Sequence, residues 1–178
     1  YSLLGGPVRE SITCYATSDD LDWSQELGFT KFKITNPAHY SESDAGIRAV
    51  VDHVAQAREQ VGQTRDLMIN PVMSYNVEFA LRLLEELKPY NLRWFEEPLV
   101  PTDAEGLAEL RRSAPWVAIA TGEDHHGRHA FLNLVEKRAV DIIQPDLSWG
   151  GGLTEAMKVH VIGEMAGIAT IPHGGANT

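Results

Sequence analysis

Cysteine is almost missing from this chain: Cys14 is the only one in 178 residues. No internal disulfide can form, and a reducing compartment, the cytoplasm, is the natural setting. No run of about 18 apolar residues occurs, so no membrane span is expected. The opening stretch, Tyr1 to Ser11, has neither a charged start nor a long apolar core, so no signal peptide is expected there. A starting Met is absent too, which suggests a piece of a longer protein. Positive charge is scarce, with 15 Lys and Arg against 25 Asp and Glu and a formal net charge of −10. That balance argues against a nucleic-acid partner, since no basic patch is expected to neutralise phosphates. It does not exclude an anionic substrate, since a bound cation or a local pair of lysines can reverse the field inside one pocket. Low-complexity tracts and long linkers are also lacking.

What the chain has is alternation. Apolar residues make up 43% of it, enough for the core of one domain spanning 1–178. Short apolar runs stand at Ile12–Ala16, Phe29–Ile34, Asp66–Ile69, Leu92–Phe95, Val117–Ala120, Asp141–Ile143 and Ile168–Ile171. Most are β-branched or aromatic and bounded by turn residues, as buried parallel strands are. Helix-period stripes lie between them. Ile47, Val50, Val51, Val54 and Val61 form one, and Val77, Ala80, Leu81, Leu84 and Leu87 another. Ala130, Phe131, Leu134 and Val135 form a third. Thr102 with Glu105 reads as a capping box, and Asn76 as the cap of the helix after it. Gly150, Gly151 and Gly152 allow a tight strand-to-helix turn.

Seven strands and six helices in alternation predict an α/β fold with a parallel sheet and outer helices. A closed (β/α)8 TIM barrel takes about 250 residues, so the expectation is an incomplete barrel of about seven strands. An open doubly wound sheet is the alternative, but no G-x-G-x-x-G follows any strand.

Asn70, Glu96, Glu123, Asp146 and His173 each follow an apolar run, at successive spacings of 26, 27, 23 and 27 residues. Each interval is about one strand–helix unit, so the five belong on the C-terminal rim of a barrel, where barrel active sites are built. Lys31 and Lys33, two apart on the preceding strand, point the same way. Taken singly these residues mean little. Glu96 could be a solvated carboxylate, Asp146 a turn residue, and His173 a loop histidine. Five in register, with two adjacent carboxylates set against aromatics in Trp94-Phe95-Glu96-Glu97-Pro98, are harder to explain that way. Asn70, Glu96 and Glu123 supply three oxygen donors for a hard cation, Mg²⁺. Asp146 can orient the His173 ring and favour its protonated form. A cation flanked by bases on two faces suits proton abstraction next to a carboxylate.

The same residues resemble the mandelate racemase/muconate lactonizing branch of the enolase superfamily, where a Lys or His base works with Mg²⁺. The likeness runs through Leu3–Arg9, Lys31-Phe32-Lys33, Trp94–Leu99, Thr121-Gly122-Glu123, Gln144-Pro145-Asp146, Gly151–Glu155 and Pro172-His173-Gly174. Within that branch, Met73-Ser74, Glu109–Pro115 and Asp141–Asp146 followed by Trp149 resemble the L-rhamnonate dehydratases. The resemblance implies a partial C-terminal barrel domain over 1–178, without an N-terminal capping domain or an eighth strand. It implies Asn70, Glu96 and Glu123 as metal ligands, His173, Asp146, Lys33 and Lys31 as catalytic residues, and no organic cofactor. It implies a small sugar-acid substrate, neither a nucleic-acid nor a membrane partner, and a homo-oligomer. Dehydration to a 2-keto-3-deoxy acid is the implied reaction. Another sugar acid, a racemisation, or a degenerate non-catalytic member are the alternatives. Three departures stand out: Asn70 where the branch has Asp, Asp124 after Glu123 where rhamnonate dehydratases have His, and a Lys pair closer to the wider branch.

His125, His126 and His129 read as solvated loop residues or as contacts to substrate hydroxyls. His53 and His160 read as helix-surface or packing residues, and His39 could approach the pocket. Trp149 floors the site or packs beside it, while Trp23 and Trp116 read as shell packing. Cys14 ends no motif and reads as a small buried hydrophobe.

Overall fold

A computed structural model describes residues 2–174. Its strands are β1 (Ala16–Thr17), β2 (Lys31–Thr35), β3 (Asp66–Asn70), β4 (Trp94–Glu96), β5 (Ala118–Thr121), β6 (Ile142–Ile143) and β7 (Ala169–Thr170). Its α-helices are α1 (Leu21–Glu26), α2 (Ser43–Val61), α3 (Val77–Leu87), α4 (Ala104–Ser113), α5 (Gly127–Glu136) and α6 (Gly152–Met165). The strands form one all-parallel sheet in chain order, β1 to β7.

Alternation along each strand divides the apolar residues into two clusters. Phe32, Ile34, Leu67, Ile69, Phe95, Ile119 and Ile143 face outward, into one core with residues such as Val50, Val54, Phe79, Leu83, Leu107, Leu110, Phe131 and Leu134 of the helices. Met68, Trp94, Ala120 and Ile142 face the other way and pack together with Tyr15, Ala118 and Ile171. The second cluster shows that the sheet curls. Strands lie about 4.8 Å apart, so a flat sheet would hold β1 and β4 some 14 Å from each other. Here the Tyr15 ring, beside β1, meets Trp94 of β4 edge-on at 5.3 Å. The strand order never reverses, so there is no switch point of the doubly wound kind. The fold is an incomplete barrel, as the sequence predicts.

Several local expectations are corrected. Ile12 and Cys14 are exposed, and the strand expected over Ile12–Ala16 is confined to Ala16–Thr17. Cys14 therefore lies outside the core. The helix after Pro101 is capped by Asp103, whose carboxylate accepts the Gly106 N–H at 2.8 Å, and not by Thr102. Asn76 caps α3 as expected, accepting the Phe79 N–H at 2.8 Å. His39 caps the short 3-10 turn Tyr40–Glu42 in a capping box with Glu42. Trp23 is exposed, and Trp116 packs half-buried against the outer core.

At the N-terminal end of the strands, Arg58 of α2 is 2% exposed. Its guanidinium donates to the carbonyls of Tyr90 (2.9 Å), Gly62 (2.8 Å), Arg65 (2.8 Å) and Asn91 (3.0 Å). One fork thus ties the turn into β3 to the turn into β4. Arg58→Met should keep the packing of the stem and strand four acceptors, lowering stability by roughly 3 kcal/mol. Urea unfolding checks this, with the midpoint expected to fall at unchanged slope. A change under about 1 kcal/mol would show that water replaces the guanidinium.

Candidate active site

The C-terminal rim gathers the expected residues. Asn70 and Glu96 close β3 and β4, and Glu123 follows β5 by one residue's turn at Gly122. Asp146 and His173, beyond β6 and β7, are joined by a parallel bridge. Gly122 is required where β5 leaves the sheet. Its φ is +143°, and a Cβ there would meet Phe131 Cε1 at 2.7 Å and the Gln144 nitrogen at 2.8 Å.

Glu96 is fully buried. Its Oε1 accepts from the Lys33 ammonium and, at 3.2 Å, from Asn70 Nδ2. Its Oε2 accepts from Trp94 Nε1 at 2.7 Å and Gln144 Nε2 at 3.0 Å. Four donors saturate a carboxylate. The Lys33 ammonium also stands 5.3 Å above the Tyr15 ring, a cation–π contact.

Asp146 is held by the N–H groups of Ser148 (2.6 Å) and Trp149 (2.8 Å) on Oδ1. Its Oδ2 lies 2.7 Å from His173 Nδ1. Burial alone would raise this carboxyl, but the Trp149 N–H, the His173 ring and the Ser148 N–H outweigh it and hold the acid below its usual range. An acceptor at Nδ1 favours a ring proton there and turns Nε2 towards the rim. Nε2 is 3.5 Å from Glu123 Oε2. Burial pushes the Glu123 carboxyl above its usual range; His173 pulls it back, and the charge of Glu96 adds to the rise.

Lys31 is not brought to this group. Its ammonium sits 2.9 Å from Asp66, and both residues open their strands, at the end away from the rim. Lys31 and Lys33 share the inner face, but two residues of strand are about 6.6 Å, a full layer of the interior. His125 also departs from expectation. It is buried against Phe131, with ring centroids 5.7 Å apart, and burial pushes its imidazole below the usual range. His126 and His129 are exposed. His53 lies 3.4 Å from Asp19, and His160 contacts Thr170 at 3.3 Å. Trp149 is 55% exposed; it donates its indole N–H to the Glu123 carbonyl at 2.6 Å, and its ring lies 5.7 Å from that of His173.

Sequence reasoning passed over Trp94 and Gln144 as donors. Each stands two positions before a rim residue, and the period of two that aligns side chains on a strand was the available signal. It also passed over Glu97, which is fully buried at φ +43°. Glu97 Oε1 accepts the N–H groups of Gly122 (2.6 Å) and Glu123 (3.1 Å). Burial pushes its carboxyl up to about 7, against the pull of the Gly122 N–H.

Among the described residues, no three His, Cys, Asp or Glu side chains form a group that could hold a metal ion. The trio at the rim is two carboxylates and an amide. Its donors are all hard oxygens, which fits a divalent cation of the Mg²⁺ kind. The raised Glu123 carboxyl fits as well, since a cation would relieve its crowding with Glu96. Asn70 would have to turn, because its Nδ2 now faces Glu96 while its Oδ1 accepts the Val72 N–H at 2.9 Å.

An incomplete parallel barrel with an acid–imidazole pair and oxygen donors on successive strand ends is the frame of one family. Residues 19–178 match the enolase C-terminal domain-like family, and the chain belongs to it. It is 42% identical over 175 residues to an L-rhamnonate dehydratase of Saccharopolyspora erythraea, covering 98% of this chain and 45% of that one. The crystal structure of rhamnonate dehydratase from Gibberella zeae complexed with Mg superposes with a TM-score of 0.93 at 35% identity, covering 97% of this chain and 43% of that one. L-talarate dehydratase from Polaromonas sp. JS666, complexed with Mg and L-glucarate, gives 0.84 at 29% identity, covering 98% and 50%. The chain thus spans about half the length of these relatives.

The loops carrying Glu123 and Asp146 lead into α5 and α6, and one ion pair fastens the starts of those helices. Arg128 donates its N–H (2.9 Å), Nε (2.7 Å) and Nη2 (2.7 Å) to Glu155. The Arg128 side chain, then its backbone N–H, hold the Glu155 carboxyl at about 2, below the ordinary 4.5. A depressed folded value means that the pair adds stability above the unfolded pKa and loses it as pH falls through the folded one. Urea midpoints of the natural protein and Glu155→Gln should differ by a constant gap above about pH 5 and converge towards about pH 2. A gap that ignores pH would assign the effect to packing.

Proposed function

We propose that this chain supplies the catalytic half of a hydro-lyase that dehydrates a sugar acid, with L-rhamnonate as the substrate. The observation that carries the reading is the Asp146–His173 pair, whose Nε2 faces Glu123 across the rim. In the proposal, His173 Nε2 takes the proton from C2 of the acid. Asp146 keeps the ring oriented and offsets the charge that the imidazolium gains. The protonated ring then returns that proton to the departing 3-hydroxyl, so that water leaves and the enol left behind becomes a 2-keto-3-deoxy acid. Mg²⁺ held by Asn70, Glu96 and Glu123 would supply positive charge for the substrate carboxylate and for the negative charge that builds on it. Lys33 holds Glu96 in place through their buried contact. Lys31 has no part, being paired with Asp66. The rhamnonate and talarate dehydratases among the relatives support a sugar acid, and the rhamnonate enzymes support that particular one. A homo-oligomer belongs to the proposal on resemblance alone.

Asn70 favours a second reading, a family member without turnover. Its amide bonds to Glu96 and to the Val72 N–H, and it brings one negative charge fewer than an aspartate.

Two variants of the full-length protein decide. His173→Asn should slow exchange of the C2 proton with solvent deuterium about a thousandfold while Mg²⁺ still binds. Retained exchange would move the base to Lys33. Asn70→Asp restores a third negative donor and should tighten Mg²⁺ about tenfold or more by calorimetry. If the Asn form turns over comparably, the second reading fails. If both forms are inert across a panel of sugar acids, the dehydratase reading fails.

A further inference from the structure

We infer that Glu97 is a positioning residue that sets where Glu123 stands relative to Glu96 and Asn70. The inference rests on the reading of those three as donors to one cation. Glu97, at the end of β4, bonds both to the loop that follows β3 and to the turn that follows β5. Its N–H donates to the Ala120 carbonyl at 2.9 Å, holding the end of β4 to β5. Its carbonyl accepts the Met73 N–H at 2.6 Å, holding the loop that follows Asn70. The next rung, Tyr75 N–H to the Pro98 carbonyl at 3.1 Å, extends the same seam. Its side chain crosses to β5, where Oε1 takes both N–H groups of the Gly122–Glu123 turn.

The backbone is bent to make this happen. Glu97 has φ +43°, and Val72 and Met73 have φ +51° and +58°. Left-handed backbone at residues with a Cβ is unfavourable and persists where surroundings enforce it. Three such residues meet at one seam. Without the Glu97 carboxylate, the buried Gly122 N–H and the part-buried Glu123 N–H lose their acceptor, and the turn must shift to find another. Glu123 is carried on that turn, so its carboxylate moves with it. Groups that orient a metal's ligands, without touching the metal, typically govern affinity by about 10–100-fold.

The experiment uses the full-length protein with Mn²⁺ as probe. Glu97→Leu removes the acceptor at similar volume; Glu97→Gln keeps an oxygen for both N–H groups. Calorimetry should show Glu97→Leu weakening Mn²⁺ about 10–100-fold, with Glu97→Gln recovering most of the loss. Hydrogen exchange of the segment 121–125 is the readout independent of metal: slow in the natural protein and in Glu97→Gln, fast in Glu97→Leu. Equal Mn²⁺ affinity in all three would overturn the inference. So would rapid exchange of that segment in the natural protein, which decides the matter even if Glu97→Leu fails to fold. Should the natural protein take up no Mn²⁺, the metal reading falls, and exchange alone then decides whether Glu97 holds the turn.

Discussion

The buried carboxylate of Glu96 is the constraint around which this fold closes. A carboxylate taken out of water is destabilising by several kcal/mol unless its lone pairs are met. The four donors that meet it, Lys33, Asn70, Trp94 and Gln144, come from β2, β3, β4 and the end of β6. In a flat sheet, β2 and β6 would lie about 19 Å apart. Both reach one carboxylate only because the sheet curls. The curl therefore also serves to satisfy the charge, and the apolar cluster of Met68, Trp94, Ala120 and Ile142 beneath it supplies the force that holds the curl.

Layering follows from the same geometry. The inner face is apolar at its middle, ionic at the Lys31–Asp66 end, and polar at the rim. Trp94 joins two of these layers, packing its ring in the middle while its N–H serves Glu96 above. Trp149 ties two rim residues together: its backbone N–H, with that of Ser148, holds the Asp146 carboxylate, and its indole N–H holds the Glu123 carbonyl. Such support fixes side chains more firmly than loop packing does, and fixed groups are what proton transfer at a stated atom requires.

Strand ends were legible because a repeating strand–helix unit spaces them evenly, and the five rim residues fell where that spacing put them. Depth along a strand was less legible. A period of two gives a face but not a layer, so Lys31 and Lys33 looked equivalent although one pairs with Asp66 and the other with Glu96. The apolar run at Ile12 misled because β-branched residues also occur in exposed lead-in segments. Thr102 and Asp103 offer the same capping chemistry one residue apart, and only the entry angle of the chain selects Asp103. His125 hid its burial because its partner Phe131 lies on the helix that follows, outside any strand pattern. Glu97 was visible only as an oddity, a second acid beside the first. Its role depends on a left-handed residue bending the chain across to β5, which no propensity announces.

Asn70 brings stability and function into opposition. With no cation at the rim, an aspartate at this position would face Glu96 directly, and two like charges on adjacent strand ends repel. The amide removes that repulsion and adds a donor to Glu96 Oε1. It thereby stabilises the rim, and at the proposed site it would offer a cation one charge fewer than an aspartate. A ligand can only shift an equilibrium by its differential affinity for the two states. On the proposed reading, an Asn at 70 would strengthen the arrangement without the cation and weaken the one with it. The residue would then move the balance between those states by the sum of both effects, more than the loss of one ligand charge alone would do.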